Sequence, residues 1–265
     1  MRRTLRALPT LLQVGFAESV AYRAEMVIWL FSTNMALVML ALWSAVAAEG
    51  PVGRFGPRDF VAYYLATLVV RLMTGAWVVW ELTFEVRQGT LATRLLRPLH
   101  PLLAYAMENV SAMPLRLAVA LPVAVAAAWW VGPERITHDP LLLALFPFTV
   151  LGAWLITFLS MAMVGTLAFR FDSATSVFEL WLGLFGIFSG YLVPLELFPP
   201  WVAVVGRALP FRSMLAFPVE MVIGHLPRAA ALLELGVQWA WIAGLLVATR
   251  LAWNAGLRRF AAFGG

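Results

Sequence analysis

The sequence predicts an all-α, polytopic membrane protein: a single domain, residues 1–265, of six transmembrane helices. Three observations predict it. Of the 265 residues 62% are apolar, with a mean hydropathy of +0.85, a composition of membrane-embedded chains and not of soluble domains. Six stretches each supply the roughly 20 apolar residues that a spanning helix needs. Arginines gather on alternate connections between those stretches, as they do when the cytoplasmic side is marked by positive charge.

The elements follow in order. Residues 4–22 are moderately apolar, with Pro9 and scattered charge. They are too polar to span, and residues 1–25 are expected to form an amphipathic helix in the cytoplasmic interface. The first span covers residues 26–47. Ala45-Val46-Ala47 looks like a signal-peptidase site. The apolar run is too long for a signal peptide and Glu18 and Glu25 precede it, so the span is expected to be retained. The second span, 60–84, carries Arg71 about 16 Å from its start by helical rise. An arginine there costs on the order of 2.5–3.5 kcal/mol on insertion scales, so it should face protein or a water-filled cavity. Thr67 and Thr74 share its face by spacing.

Residues 84–101, FEVRQGTLATRLLRPLHP, interrupt the hydrocarbon. Gly89-Thr90 is suited to ending one helix and starting the next. TLATRLLR then makes about two turns before Pro98 stops it. Leu91 and Leu95 share one face of those turns, Arg94 and Arg97 another. The segment reads as a short amphipathic helix under the membrane; a plain connector would need fewer residues.

The third span covers 108–131, the fourth 141–169 and the fifth 174–194. On a helical wheel the fifth places Phe178, Trp181, Phe185 and Phe188 on one face. Ser176, Glu179, Gly183, Gly186 and Gly190 fall on another, with Gly186 and Gly190 at GxxxG spacing. That polar and glycine face is expected to be a packed helix interface or a cavity wall. Arg71 and Glu179 are expected to meet in one intramembrane polar site with Thr74 and Ser176. In the competing arrangement Arg71 bonds a backbone carbonyl and Glu179 sits protonated or on a hydroxyl. Residues 193–231 are too apolar for a solvated loop and too proline-broken to span. They are expected to re-enter the outer leaflet as short helices, with an interfacial helix at 219–225. The sixth span covers 233–253.

Arg2, Arg3, Arg6, Arg23, Arg87, Arg94, Arg97, Arg170, Arg250, Arg258 and Arg259 fall on one face of this arrangement. They outnumber Arg54, Arg58, Arg135, Arg207, Arg212 and Arg228 on the other. Both termini are therefore expected in the cytoplasm. The net charge of +5 is read as this topological bias and not as a nucleic-acid surface.

Several function classes drop out. There is no cysteine and no lysine, so a P-loop and a Schiff-base lysine are both excluded. His100, His138 and His225 lie in separate connections, which leaves no shared metal site. HExxH and GxSxG are absent, and very little of an ionisable cluster inside the spans is legible, so the chain is not expected to be an enzyme. A carrier independent of ATP should show inverted repeats and broken helices, which the sequence does not announce, and a scaffold would need no charge inside its spans.

The arrangement resembles the permease subunits of ABC-2 type exporters: an N-terminal interfacial helix, a basic coupling helix after span two, and a proline-rich re-entrant loop before span six. It is most similar to the small bacterial permeases encoded with a separate ATPase and often with a second, dissimilar permease. EVRQGTLATRLLRPLHP resembles their coupling segment, residues 85–101. GYLVPLELFPPWV followed by LPFRSMLAFPVEMVIGH resembles their outer loop. The resemblance implies a multi-pass protein of the bacterial inner membrane that docks a cytoplasmic ATPase dimer through Glu85, Arg87, Gln88, Gly89, Thr90 and Arg94. ATP and Mg would be bound by that partner, with no cofactor in this chain. It implies a second permease, a heterodimer being preferred to a homodimer, a setting of membrane lipid, and no nucleic acid. It places spans two and five near the central pathway. A hydrophobic or amphipathic compound such as a drug or natural product is the first substrate expectation, and a lipid or lipid-linked glycan the alternative.

Overall fold

The computed structural model describes residues 35–171, 174–258 and 260, with the isolated positions 13, 16, 17, 20 and 21. The expected interfacial helix over 1–25 and the start of the first span lie outside the described residues. The rest of the first span is α1 (Ala36–Ala48). Apart from an isolated bridge between Val52 and Phe55, the described residues form helices and their connections.

The second span is one apolar stretch, Pro57–Arg87, built as two helices. Helix α2 (Pro57–Thr74) starts where the Asp59 carboxylate accepts the Gly56 N–H at 2.9 Å and Pro57 occupies the first turn. It stops at Gly75–Trp77, and α3 (Val78–Arg87) follows. The sequence did not announce this break. Helix α4 (Leu91–Leu95) is shorter than the two turns expected. The third span starts earlier than expected. His100 Nδ1 accepts the Leu102 N–H at 3.2 Å, Pro101 takes the first helical position, and α5 (Pro101–Ser111) runs on through apolar residues. A one-residue interruption at Ala112 precedes α6 (Met113–Val131). Pro114 lies just beyond it and withholds a backbone donor from the preceding turn.

Helix α7 (Pro140–Gly165) is capped by the Asp139 carboxylate, which accepts the Leu141 N–H at 2.9 Å, and continues as a 3₁₀ turn, Thr166–Phe169. It is the central helix: α2, α3, α8 (Ala174–Phe188), α10 (Phe211–Met214), α11 (Ala216–Val222) and α12 (Arg228–Leu257) all pack on it. The α7–α12 contact is the most extensive. Gly152 lets the Gln238 side chain lie on the α7 backbone, and Thr249 donates to the Leu159 carbonyl at 3.1 Å.

The fifth span is shorter than expected. At 15 residues α8 is about 22 Å long, less than the roughly 30 Å hydrocarbon core. It ends because Gly190 takes φ +81°, and the chain turns back. Tyr63 donates to the Gly190 carbonyl at 2.8 Å, and Tyr64 and Trp43 donate to that of Leu192 at 2.8 and 2.9 Å. The loop beyond carries α9 (Pro200–Ala208), whose Trp201, Val204 and Val205 are exposed, and then α10 and α11. No interfacial helix stands at 219–225. Ala216 through Met221 are wholly buried against α2 and α7, so the interfacial character belongs to α9 instead.

Four helical stretches, Pro57–Arg87, Pro101–Val131, Pro140–Phe169 and Arg228–Leu257, are long and apolar enough to cross a membrane; α1 and α8 are shorter apolar helices. The connections alternate between two ends. At one, Arg135 Nε meets Asp59 Oδ1 at 3.0 Å, Arg228 meets Asp139 at 2.6 Å, and Arg54 pairs with Glu196. At the other, the rings of His100 and Phe169 meet that of Trp253, with centroids 5.6 and 5.4 Å apart, beside α4.

Candidate functional site

The α4 end holds an ionic network centred on Arg94. Gly89 takes φ +72° and turns the chain from α3 into α4. Leu91 is fully buried and anchors α4. Arg94 is thereby aimed back at the neighbouring helices. Its Nη2 and Nε donate to the two Glu85 oxygens at 2.6 and 3.0 Å, a bidentate pair. Its Nη1 donates to Glu108 at 2.7 Å, and its guanidinium lies 4.2 Å over the Tyr105 ring. The Tyr105 hydroxyl in turn donates to Glu85 Oε2 at 2.7 Å. One guanidinium joins α3, α4 and α5 into a single body.

Two of the six expected docking residues are thus internal struts. The carboxylate of Glu85 and the guanidinium of Arg94 are spent on each other, because Leu91 turns α4 so that Arg94 meets α3 and α5 while Arg97 stays outside. The outward surface is made by Arg87, Gln88 and Thr90, with Leu96, 88% exposed, and Arg97. A Cβ on Gly89 would meet nothing within 4 Å, so that side of the turn is open.

One turn deeper lies a pair of groups that sequence reasoning missed. Arg116 on α6 is only 2% exposed, and its Nη1 donates to the carbonyl of Gly75, the residue at which α2 stops. A guanidinium therefore satisfies a carbonyl freed by the break, as backbone at membrane depth requires. Glu81 on α3 feels the charges of Glu108, Arg94, Glu85 and Arg116, and its Oε2 is buried with no hydrogen-bond partner among the described residues. An ionisable cluster inside the spans thus does exist, contrary to the expectation. Its signal in the sequence was the four-residue spacing of Glu81 and Glu85, which sets both on one helix face.

The expected pairing of Arg71 with Glu179 does not form within this chain. The Arg71 guanidinium lies over the rings of Phe185 and Tyr191, 5.0 and 5.3 Å from their centroids, and no ion pair to Glu179 forms among the described residues. The cause is the roll of α8. Its aromatic stripe faces inward: Phe178 meets Trp80 at 4.6 Å, and Trp181 stacks on Phe178 and Phe185 at 5.5 and 5.6 Å. Ser176, Glu179 and Gly183 turn away from the chain and are exposed. Gly186 packs under Leu192 of its own turn, and Gly190 lies beyond the helix end against the Tyr63 hydroxyl. The three glycines do not form one packing face within the chain. Thr74 is buried with its hydroxyl unpartnered.

At the opposite end Arg212, expected on a loop surface, is buried. Its Nη2 donates to Glu220 at 2.7 Å and its Nη1 pairs with Glu234, tying α10 to α11 and α12. The fully buried Gln238 donates to the carbonyls of Thr149 and Ser213 at 3.0 and 2.9 Å, joining α12 to α7 and α10. Burial pushes the pKa of His225, in the loop before α12, down to about 4, and the charge of Arg54 adds to the effect.

The long apolar helices are those of a polytopic membrane protein. The family model for ABC-2 family transporter protein matches residues 28–264, nearly the whole chain. The chain belongs to that family, and is a membrane component of an ABC-type transporter. A search among curated proteins finds no match.

Proposed function

We propose that this chain is the permease subunit of an ATP-driven exporter that carries a hydrophobic or amphipathic compound out of the cytoplasm, powered by a separate ATPase dimer that supplies ATP and Mg binding. The α4 end is the cytoplasmic end in this reading. The observation that carries it is the Arg94–Glu85–Glu108–Tyr105 network. It makes α3, α4 and α5 one stiff body with a small outward surface of Arg87, Gln88, Thr90, Leu96 and Arg97. A push on that surface moves three helices together and bends the second span at Gly75–Trp77, where the backbone ladder is already interrupted. A polar, half-basic surface backed by a rigid strut suits docking to a soluble partner. The outward face of α8, with Ser176, Glu179 and Gly183, is assigned to the second permease or to the path between the two, a dissimilar partner being preferred to a second copy.

The test is co-purification with the cognate ATPase followed by ATP hydrolysis in proteoliposomes. Arg87→Glu combined with Arg97→Glu should detach or uncouple the ATPase while the chain stays folded in the membrane, because both side chains are exposed. Full, coupled hydrolysis in that variant would remove the docking assignment.

A further inference from the structure

The helices α6 and α7 are consecutive and joined by a short connection, yet they scarcely touch; each packs on α2 instead. Between them a cleft descends to the α2 surface. Its lobe toward the Arg135 end has a volume of about 210 Å³ and its deeper lobe about 360 Å³, and the two share Val69, Ala124 and Phe146 as walls. Small side chains on α2 and α6, such as Ala62, Ala66 and Ala128, leave the space open. The rims include Leu117, Leu121 and Leu151, all exposed, so the opening is apolar and suited to hydrocarbon.

Of the groups lining the cleft, only one carries a charge: Arg135, at its outer mouth. Asp59 engages its Nε and Glu134 its Nη1, which leaves Nη2 without a partner among the described residues. The Glu134 side chain is itself 61% exposed. Trp129 and Trp130, at the same end of α6, are exposed as in an interfacial aromatic belt.

We infer that this cleft is a binding site for a zwitterionic phospholipid with an ammonium headgroup, one acyl chain lying along α2 between α6 and α7. The free guanidinium nitrogen of Arg135 takes the phosphate, for which arginine is well shaped, and the Glu134 carboxylate takes the ammonium. With Asp59 and Glu134 both at the mouth, a second net negative charge is opposed, so phosphatidylethanolamine is selected over phosphatidylglycerol. The site is separate from the ATPase-docking surface and stands or falls without it.

The full chain is reconstituted in liposomes of phosphatidylethanolamine and phosphatidylglycerol in which one or the other carries a photoactivatable diazirine in its acyl chain. Adducts are mapped by mass spectrometry after irradiation. Adducts should concentrate on cleft residues such as Met73, Val150 and Leu117 over the exposed Leu246 and Val247 of α12. The ethanolamine probe should label about tenfold more than the glycerol probe, the worth of one charge-assisted hydrogen bond. Ala124→Trp, which fills the junction of both lobes, should abolish the concentration of adducts, and the milder Ala128→Leu should reduce it if the tryptophan variant does not fold. Glu134→Gln should remove most of the headgroup preference and keep the adducts, whereas Arg135→Gln should weaken labelling by both probes. Val125→Trp, one residue along and pointing outward, should change neither. Even labelling of all exposed helices, or equal labelling by the two probes in the parent, would overturn the assignment.

Discussion

Arg94→Gln separates an internal strut from a docking contact. The substitution leaves Glu85 and Glu108 facing each other across Tyr105 without their cation. Removing one partner of a fully buried pair costs about 3–5 kcal/mol. The Arg94, Glu85 and Glu108 side chains are 16%, 17% and 36% exposed, so solvent screens part of the loss and about 2–3 kcal/mol is expected. For a chain of this size that lowers the melting temperature by about 4–12 °C, measurable by thermal unfolding of the purified chain in mild detergent. Glu85→Gln added to Arg94→Gln should restore part of the loss, because the double variant no longer strands a bidentate carboxylate; a coupling of about 1–2 kcal/mol is expected for groups in direct contact. Tyr105→Phe should cost about 1.5–3 kcal/mol, the worth of one hydrogen bond to a carboxylate. If Arg94→Gln melts with the parent yet no longer supports stimulated ATP hydrolysis, Arg94 is a contact to the partner and the rigid-body reasoning fails.

Other consequences follow from the turn after α8, from His225 and from the arrangement of the ends. Gly190→Ala forces a side chain into a left-handed conformation and sets its Cβ against the Tyr63 hydroxyl, so about 2–4 kcal/mol should be lost; an unchanged thermal melt would show that the turn relaxes freely. His225 is held neutral in the folded chain, with a pKa near 4 against 6.5 unfolded. The unfolded state therefore binds more protons between those values. The contribution of His225 is complete above about pH 6.5 and is lost as pH falls toward 4, reduced by its partial exposure to solvent. A pH series of melting temperatures should show a decline over that window that His225→Phe flattens, and an identical decline in the variant would assign it to other groups. Asp139, held below the ordinary carboxylate range by its hydrogen bonds from Arg228, keeps its contribution throughout that window and loses it only at still lower pH. Reporter fusions after Pro51 and His138 should read outside and one after His100 should read inside; the reverse pattern would place α4 away from the cytoplasm and remove its docking role.

The sequence by itself determined the class of protein and most of its spans. A bilayer imposes a local rule, a fixed length of apolar residues, and any chain that obeys it announces its helices residue by residue. Pro57–Arg87, Pro140–Phe169 and Arg228–Leu257 lie within a few residues of where hydropathy sets them, and the Gly89 turn and α4 follow from the same local chemistry. The roll of each helix and the partner of each charge were decided only in tertiary structure. Hydropathy does not say which way α8 turns, and the aromatic stripe won the inward face because it buries more area and meets Trp80 and Phe211 edge-on. That roll took Glu179 away from Arg71 and gave Arg71 two rings instead. Arg94 reached Glu108 because α3 and α5 stand side by side. Arg116 reached the Gly75 carbonyl, 41 residues away in the chain, because α6 packs on α2. Such meetings depend on which helices are neighbours, and a spacing within one helix carries no record of that.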